Sequence, residues 1–461
     1  MTKATADIVI CGAGIAGIST AYYLAVKRGV KNVLIVDELP PMSLTSDKSA
    51  ECYRNWWPGP GNAMVSLMNH SIDLLETMAQ ETGNIFNLSR RGYLYLTGDI
   101  ARARAIKDSA VEISQLGAGP LRIHDSGPPH SAYNRSPAHG FDGQPSGADL
   151  IIDPELIMSH YPFITKDVVA ALHARRCGWF SAQQLGMYML EQAIDHGARL
   201  LTARVVSASL RGGRVHTIKV QDSERDIKVS TDAFVIAAGP YISDVAAMLG
   251  IDLPVFNELH AKIAFRDHLS VVPRDIPMII WSDPVSLPWS VDEREELAAS
   301  ADTHWLLREL PSGVHFRPEG GVDSLVLLML WTYNVDPVEP AWPPEFDPVY
   351  AEVVLRGLTQ MIPRLCDYLG RTARPAIDGG YYCKTRENRP LIGPLPVDGA
   401  FIIGALSGFG HMASPAAAEL LAAHITGEAL PQYAPAFLLS RYHDPDYQAL
   451  LDQSGTTSGQ L

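Results

Sequence analysis

The chain has 461 residues, 47% hydrophobic and 19% charged, with 51 Asp and Glu against 37 Lys and Arg and a formal net charge of −14. This length suits two intimately built domains rather than one core, and an acidic balance without a basic patch argues against nucleic acid as a partner. No apolar run approaches the ~20 residues that span a bilayer. The first strand is expected within seven residues of the start, so no secretory signal is expected. Cys11, Cys52, Cys177, Cys366 and Cys383 are scattered without C-x-x-C or metal-ligand spacing, which points to a reducing cytoplasm and no disulfides.

Residues 7–38 read DIVICGAGIAGISTAYYLAVKRGVKNVLIVDE: strand, glycine turn, helix, strand and acidic end. Gly12, Gly14 and Gly17 form G-x-G-x-x-G, with Ile15 and Ala16 opening the helix. The glycines serve a tight turn, backbone approach to a pyrophosphate, and helix–strand packing, while Asp37 is placed to bind a ribose hydroxyl. The helix N-terminus offers free N–H groups to the phosphates.

GYLYLT at 92–97 alternates and belongs to another sheet. Residues 122–149, rich in Pro, Gly, Ser and His, read as a long loop, either a surface insertion or an active-site flap. A helix at 185–196 precedes a strand at 198–202 and a hairpin-like pair at 205–210 and 214–221. AFVIAAG at 233–239 is a buried strand ending in small residues that let a backbone touch a ligand. From 253 to 331 come strands separated by proline-rich loops with little helix, including the buried LVLLMLW at 325–331. A helix is expected at 348–361, then a strand at 400–404, a turn at 405–410 and a helix at 415–426. The tail at 453–461 is polar and expected to be disordered.

The opening fits NAD(P) or FAD. FIIGALSGFGHMASP at 401–415 favours FAD, because it is a second strand–turn–helix with Gly404, Gly408 and Gly410 and with Pro415 near the helix start. Such a helix end faces the flavin pyrimidine, where reduction places negative charge.

With GAGIAG and Asp37, VIAAGPYIS at 235–243, GVHFRPEGG at 313–321, RENRPLIGPLP at 386–396 and GALSGFGHMASP at 404–415, the chain resembles the D-amino-acid oxidase superfamily over nearly its full length. Within it, the likeness is to glycine and sarcosine oxidase and dehydrogenase flavoproteins. The resemblance implies an α/β fold, with a glutathione-reductase-like Rossmann FAD-binding domain and a mostly antiparallel substrate sheet. The FAD domain is assembled from 1–90, 151–250 and 375–461, and the substrate domain from 91–150 and 251–374. It places Asp37 on the adenosine ribose, Thr45, Ser46, Lys48 and Ser49 along the pyrophosphate and flavin edge, and the Val205 backbone on adenine. Ala238 and Gly239 approach the pyrophosphate, and Gly408, Phe409, Gly410, His411 and Met412 lie beneath the isoalloxazine.

The activity so implied is oxidation of a C–N bond of a secondary amine or amino acid, by hydride transfer to flavin N5 followed by imine hydrolysis. That chemistry needs orientation and a desolvated pocket more than a triad. Arg54, in YRNWW at 53–57, is the expected carboxylate clamp, with Arg317 second; Arg386 and Arg389 read as structural. Tyr381 and Tyr382 are the expected aromatic wall, and His411 the titratable group nearest the ring. Three departures stand out. Gly380 takes the place of the flavin-linking cysteine of sarcosine oxidases, and Cys383 is expected to face elsewhere, so FAD is expected to be noncovalent. No lysine or arginine stands near Met412, which disfavours glycine or sarcosine as substrate. The segment expected to carry an oxygen-activating lysine, 324–331, is apolar after its serine, so poor oxidase activity and a quinone or electron-transfer flavoprotein acceptor are expected instead of O₂. Lys262, in ELHAKIAF, substitutes for that lysine if it points inward, but it is expected to be an exposed strand lysine. Two alternatives remain: a flavin monooxygenase, although GALSGFG lacks the aspartate of aromatic hydroxylases, and a non-catalytic FAD-binding assembly factor.

Overall fold

The computed structural model describes residues 2–125, 132–222, 225–321, 323–334, 336–371 and 375–453. Ile8–Cys11 is buried throughout and pairs in parallel with Val33–Asp37 and Ala233–Ile236. Arg199–Thr202 and Ala400–Gly404 extend this sheet in parallel, and Leu391–Pro394 closes it antiparallel. Unbroken apolar strands such as IVIC and AFVI suit a sheet covered on both faces. Ile8 and Ile10 pack under helices Ile15–Tyr22, Ala63–Thr82, Ala182–Asp195 and Gly410–Thr426. Val9 and Cys11 face the opposite way, onto a four-stranded sheet of Thr2–Thr5, Asp226–Ser230, Arg214–Gln221 and Arg204–Arg211. Among the described residues no helix is long and apolar enough to cross a membrane.

The second layer is a nine-stranded sheet in the order Ala376–Lys384, Phe256–Arg266, Val326–Leu330, His315–Pro318, Met278–Trp281, Tyr93–Thr97, Ala170–Ala174, Ala148–Ile151, Leu121–His124. Six of its strand pairings are antiparallel; Met278–Trp281 with Tyr93–Thr97, and Leu121–His124 with Ala148–Ile151, are parallel. Alternation gives it two faces. Leu94, Leu96, Ile279, Phe316 and Met329 pack outward with helix Tyr350–Leu358, while Tyr93, Met278 and Ile280 turn inward to the core shared with Trp57 and Phe409.

Several expectations need correction. Strands Ala170–Ala174 and Ala376–Lys384, expected in the FAD-binding segments, hydrogen bond into the large sheet. The stretch expected as one loop at 122–149 begins and ends as paired strands, in which Arg122 and Asp149 stand opposite each other and are joined by a bidentate ion pair. Residues 126–131 of that stretch, and 454–461 of the expected disordered tail, lie outside the described residues. Helix Val291–Ala298 interrupts the supposedly helix-poor region and starts on a capping box between Ser290 and Glu293. Pro415 stands inside helix Gly410–Thr426 instead of at its start. Proline cannot supply the N–H due to the His411 carbonyl, and Ser414 Oγ donates to that oxygen instead, at 3.2 Å.

Candidate active site

A cleft of ≈ 490 Å³ runs along the carboxyl ends of the parallel strands, where open α/β sheets bind ligands. Gly12 has φ +114, and a Cβ there would stand 2.4 Å from the Ala237 oxygen, so only glycine lets the two strand ends meet. Gly17 lies behind the cleft; its Cβ would fall 1.9 Å from the Gly12 oxygen. Asp37, at the far end of its strand, accepts from the amides of Ala13 at 2.7 Å and Leu39 at 2.9 Å. Ser46 Oγ accepts from the Ile15 amide at 3.0 Å, and Thr45 Oγ1 donates to the Tyr381 carbonyl at 3.1 Å, tying the following turn to both sheets.

Of the residues expected at the cofactor, Gly12, Gly14, Ile15, Ala16, Asp37, Thr45, Ser46, Ser49, Val205, Ala238, Gly239, Gly408, Gly410 and His411 border the cleft, as does Tyr382. Phe409 and Met412 are buried behind it, Phe409 edge-on to Trp57 at 5.1 Å. Lys48 does not border it: its ammonium turns to Asp47 at 2.8 Å and Asp378 at 3.3 Å. Cys383, expected to face elsewhere, does border it, with its thiol beside the Ala405 backbone and pushed up by burial to about 12. At Gly380 a Cβ would stand 3.2 Å from the Thr45 Cα, so the closely packed 45–48 turn leaves tight room for a side chain there.

At the end of the cleft expected to hold the flavin, the turn before Gly408 holds Ala405 at φ +51 and Ser407 at φ +46, a left-handed strain that its surroundings must enforce. Gly408 makes space for Tyr382, whose ring carbon would lie 2.4 Å from a Cβ at 408. Tyr382 is stacked on His260 with centroids 4.0 Å apart, and burial pushes its hydroxyl up to about 12. Lys262 points inward, against the expectation of an exposed strand lysine: it donates to the Ser49 carbonyl at 3.0 Å and lies 3.7 Å from Asp378. Burial lowers its ammonium pKa, opposed by Asp378. His411 is buried, and its Nε2 has no hydrogen-bond partner among the described residues. Burial, and then the charge of Lys262, push it down to about 4.

Arg54 donates to the Tyr95 hydroxyl at 3.2 Å and lies over the Trp57 ring at 4.4 Å. The second expected clamp is consumed elsewhere. Arg317 is fully buried, donates to the carbonyls of Ala50 and Pro318, and pairs with Glu319. Arg389 donates to the Pro60 carbonyl and Arg386 lies 3.7 Å from Asp452. Sequence reasoning missed His315 and His260. Their signal was alternation: in HFRP and ELHAK the histidines share a face with Arg317 and Lys262.

His173, His315 and His411 are buried, and burial pushes them down to about 3, 4 and 4. An unfolded histidine titrates near ~6.5. Stability from keeping these rings neutral is therefore fully present above that pH and lost as pH falls toward 4, since the unfolded chain binds the additional protons. Denaturant titrations from pH 7 to 4.5 should show stability falling with an uptake of up to about three protons on unfolding; a flat profile would contradict this burial.

A family model described as FAD dependent oxidoreductase (DAO) matches residues 7–424. The chain belongs to this family. FAD is its cofactor, and the cleft fits it: glycine-walled at one end, open to an unpartnered buried imidazole at the other. This FAD-dependent oxidoreductase is 23% identical to mitochondrial dimethylglycine dehydrogenase of Mus musculus over 341 residues, covering 73% of this chain and 33% of that one. The chain spans about a third of the length of the curated relatives it matches. Its fold is similar to L-proline dehydrogenase from P. horikoshii, with TM-score 0.72, 19% identity and coverage of 96% and 98% of the two chains. It is also similar to glycine oxidase from Geobacillus kaustophilus, with TM-score 0.70, 16% identity and coverage of 96% and 99%.

Proposed function

We propose that this FAD-dependent oxidoreductase oxidises a C–N bond of a small amine or amino acid. The observation that carries the reading is Tyr382, which borders the cleft with Gly408 and His411 and lies on the same sheet as Lys262, whose ammonium donates to the carbonyl of the cleft residue Ser49. The compounds named for its relatives, dimethylglycine, L-proline and glycine, all carry an amine nitrogen beside a C–H bond.

FAD, held noncovalently, supplies the two-electron acceptor. The residues of the chain orient the substrate and exclude water. Tyr382 forms an apolar wall, Arg54 receives a carboxylate, and the helix starting at Gly410, with no acidic residue in its first turn, presents its positive end to the cleft. Lys262 contributes the positive charge; His411, held neutral, contributes a hydrogen-bonding nitrogen and not a cation. The inward Lys262 also supplies the lysine that Val326–Leu330 lacks, which removes the sequence-based reason for expecting poor oxidase activity.

The test is the visible spectrum of the anaerobic protein before and after a panel of amines and amino acids. Bands near about 370 and 450 nm that bleach with one class of compound are the expected result. A flavin that no amine bleaches would overturn the proposal and favour an assembly factor or monooxygenase. In air, peroxide formed at the rate of substrate loss identifies oxygen as acceptor, and its absence identifies a quinone or electron-transfer flavoprotein.

A further inference from the structure

One transverse row of the large sheet runs Lys262, Leu330, His315, Ile280, Tyr95, each residue opposite the next. Strands lie about 4.8 Å apart, so His315 stands roughly 10 Å from both Lys262 and Tyr95, at the middle of the row. The row faces the cofactor side. Lys262 reaches the Ser49 carbonyl, Tyr95 accepts from Arg54, and Ile280 packs in the core of Trp57 and Phe409. The next residue, Phe316, packs on the opposite face. Lys262, Leu330 and Tyr95 are only half-buried, so packing does not seal the face above the row.

His315 Nδ1 is 2.8 Å from the Gly313 carbonyl, which only accepts, so the proton is on Nδ1 and the lone pair on Nε2. Nε2 has no hydrogen-bond partner among the described residues. Burial, with Arg54 and His260 adding to it, keeps the ring uncharged at neutral pH. This face of the sheet therefore carries an acceptor-only nitrogen between two cationic side chains, Lys262 and Arg54, surroundings that disfavour an ammonium ion and welcome a neutral N–H.

We propose that His315 Nε2 accepts a hydrogen bond from the substrate amine, so that the site selects neutral primary or secondary amines over tertiary ones. This rests on the proposed function and narrows its substrate class, setting the chain apart from a relative named for a tertiary amine. The ammonium form loses its proton to solvent before binding. The C–H hydrogen then leaves with its electron pair to the oxidised cofactor, the nitrogen lone pair forms the C=N bond, and the N–H stays on His315.

The FAD-loaded protein is titrated with pyrrole-2-carboxylate and furan-2-carboxylate, planar rings differing in N–H against O, and followed by flavin absorbance and melting temperature. Wild type is expected to bind the pyrrole about tenfold tighter, the effect of one satisfied against one unsatisfied buried acceptor. His315→Leu should abolish the difference and His315→Gln, which restores an acceptor, should recover most of it, with FAD content unchanged in both. Equal affinity in wild type, no binding of either probe, or a preference that survives His315→Leu would each overturn the inference. Turnover separates the two proposals. Anaerobic bleaching by N-methylproline as fast as by proline overturns the selectivity alone. If no amine bleaches the flavin, the proposed function falls, while the N–H preference is still measured.

Discussion

Gly17→Ala is expected to yield protein that purifies almost colourless. Gly17 does not touch the cleft, but its Cβ would lie 1.9 Å from the Gly12 oxygen and 3.3 Å from Ile10 Cγ2, both set by the central strand. Backbone cannot rotate aside as a side-chain tip can, so helix Ile15–Tyr22 must lift from the strand, which moves the phosphate-facing amides of the turn. Overpacking of this kind costs on the order of 1–3 kcal/mol in stability, and the displaced turn should weaken FAD binding at least about 100-fold, since a misplacement near 1 Å has effects of that size. The ratio of absorbance at 450 nm to that at 280 nm, with a melting curve, checks this. Gly14→Ala is the milder control, because its Cβ would meet only Ser46 Oγ, at 3.1 Å. Wild-type flavin content in Gly17→Ala would refute the packing role.

Asp149→Ala should cause the largest loss of stability with the least direct effect on the cleft. The carboxylate is 1% exposed and accepts from Arg122 at 2.7 and 2.9 Å, from His124 at 2.8 Å, and from Arg175. Burial alone would raise its pKa, but Arg122, Arg175 and His124 together hold it well below the usual carboxylate range. Arg175 also donates to Ser136 Oγ and the Asn134 carbonyl and lies over Tyr133, so one acid pins a connecting segment onto the sheet edge. Removing it leaves buried Arg175 without its counter-charge, a change that costs about 3–5 kcal/mol. Chemical denaturation is expected to show a lowered midpoint with the slope unchanged. The pH sign follows: this stabilisation is present above the unfolded carboxylate pKa near ~3.9 and is lost as pH falls below it. A variant within 1 kcal/mol of wild type would show that the network is solvated.

What was legible in the sequence was local. The opening strand–turn–helix–strand could be read because its contacts lie within about 30 residues and its glycines have backbone reasons; the same holds for Ala400–Gly404 and the hairpin at Arg204–Arg211 and Arg214–Gln221. The large sheet was less legible. Tyr93–Thr97 finds its partners at Met278–Trp281 and Ala170–Ala174, pairings that no alternation pattern specifies. Ala376–Lys384 was placed in the FAD domain with the rest of 375–461, yet its partner is Phe256–Arg266. Helix Ala63–Thr82 went unread, and helix Val291–Ala298 was missed although its capping box was visible as S-x-x-E. At the site, backbone-reading positions such as Gly12 and Gly239 reach the cleft, while side-chain roles were harder. Lys262 and Arg317 both alternate in strands, and only the burial of their neighbours decides that one faces the flavin end while the other is spent on Ala50 and Glu319.

The cleft is walled by the glycine turn near 12, the turn near 45, the strand ends at 205 and 238, Tyr382, and the turn at 408. No contiguous fragment of the polypeptide holds more than a portion of these walls. Insertion of the dinucleotide must therefore come late in biogenesis, after pairings between distant segments have closed, a slow topology in kinetic terms. Until then the maturing chain lacks the stabilisation a bound ligand contributes, about 2.7 kcal/mol at a hundredfold excess over its dissociation constant. The amount of this protein that escapes proteolysis is therefore expected to rise with the nucleotide supply of the producing cell.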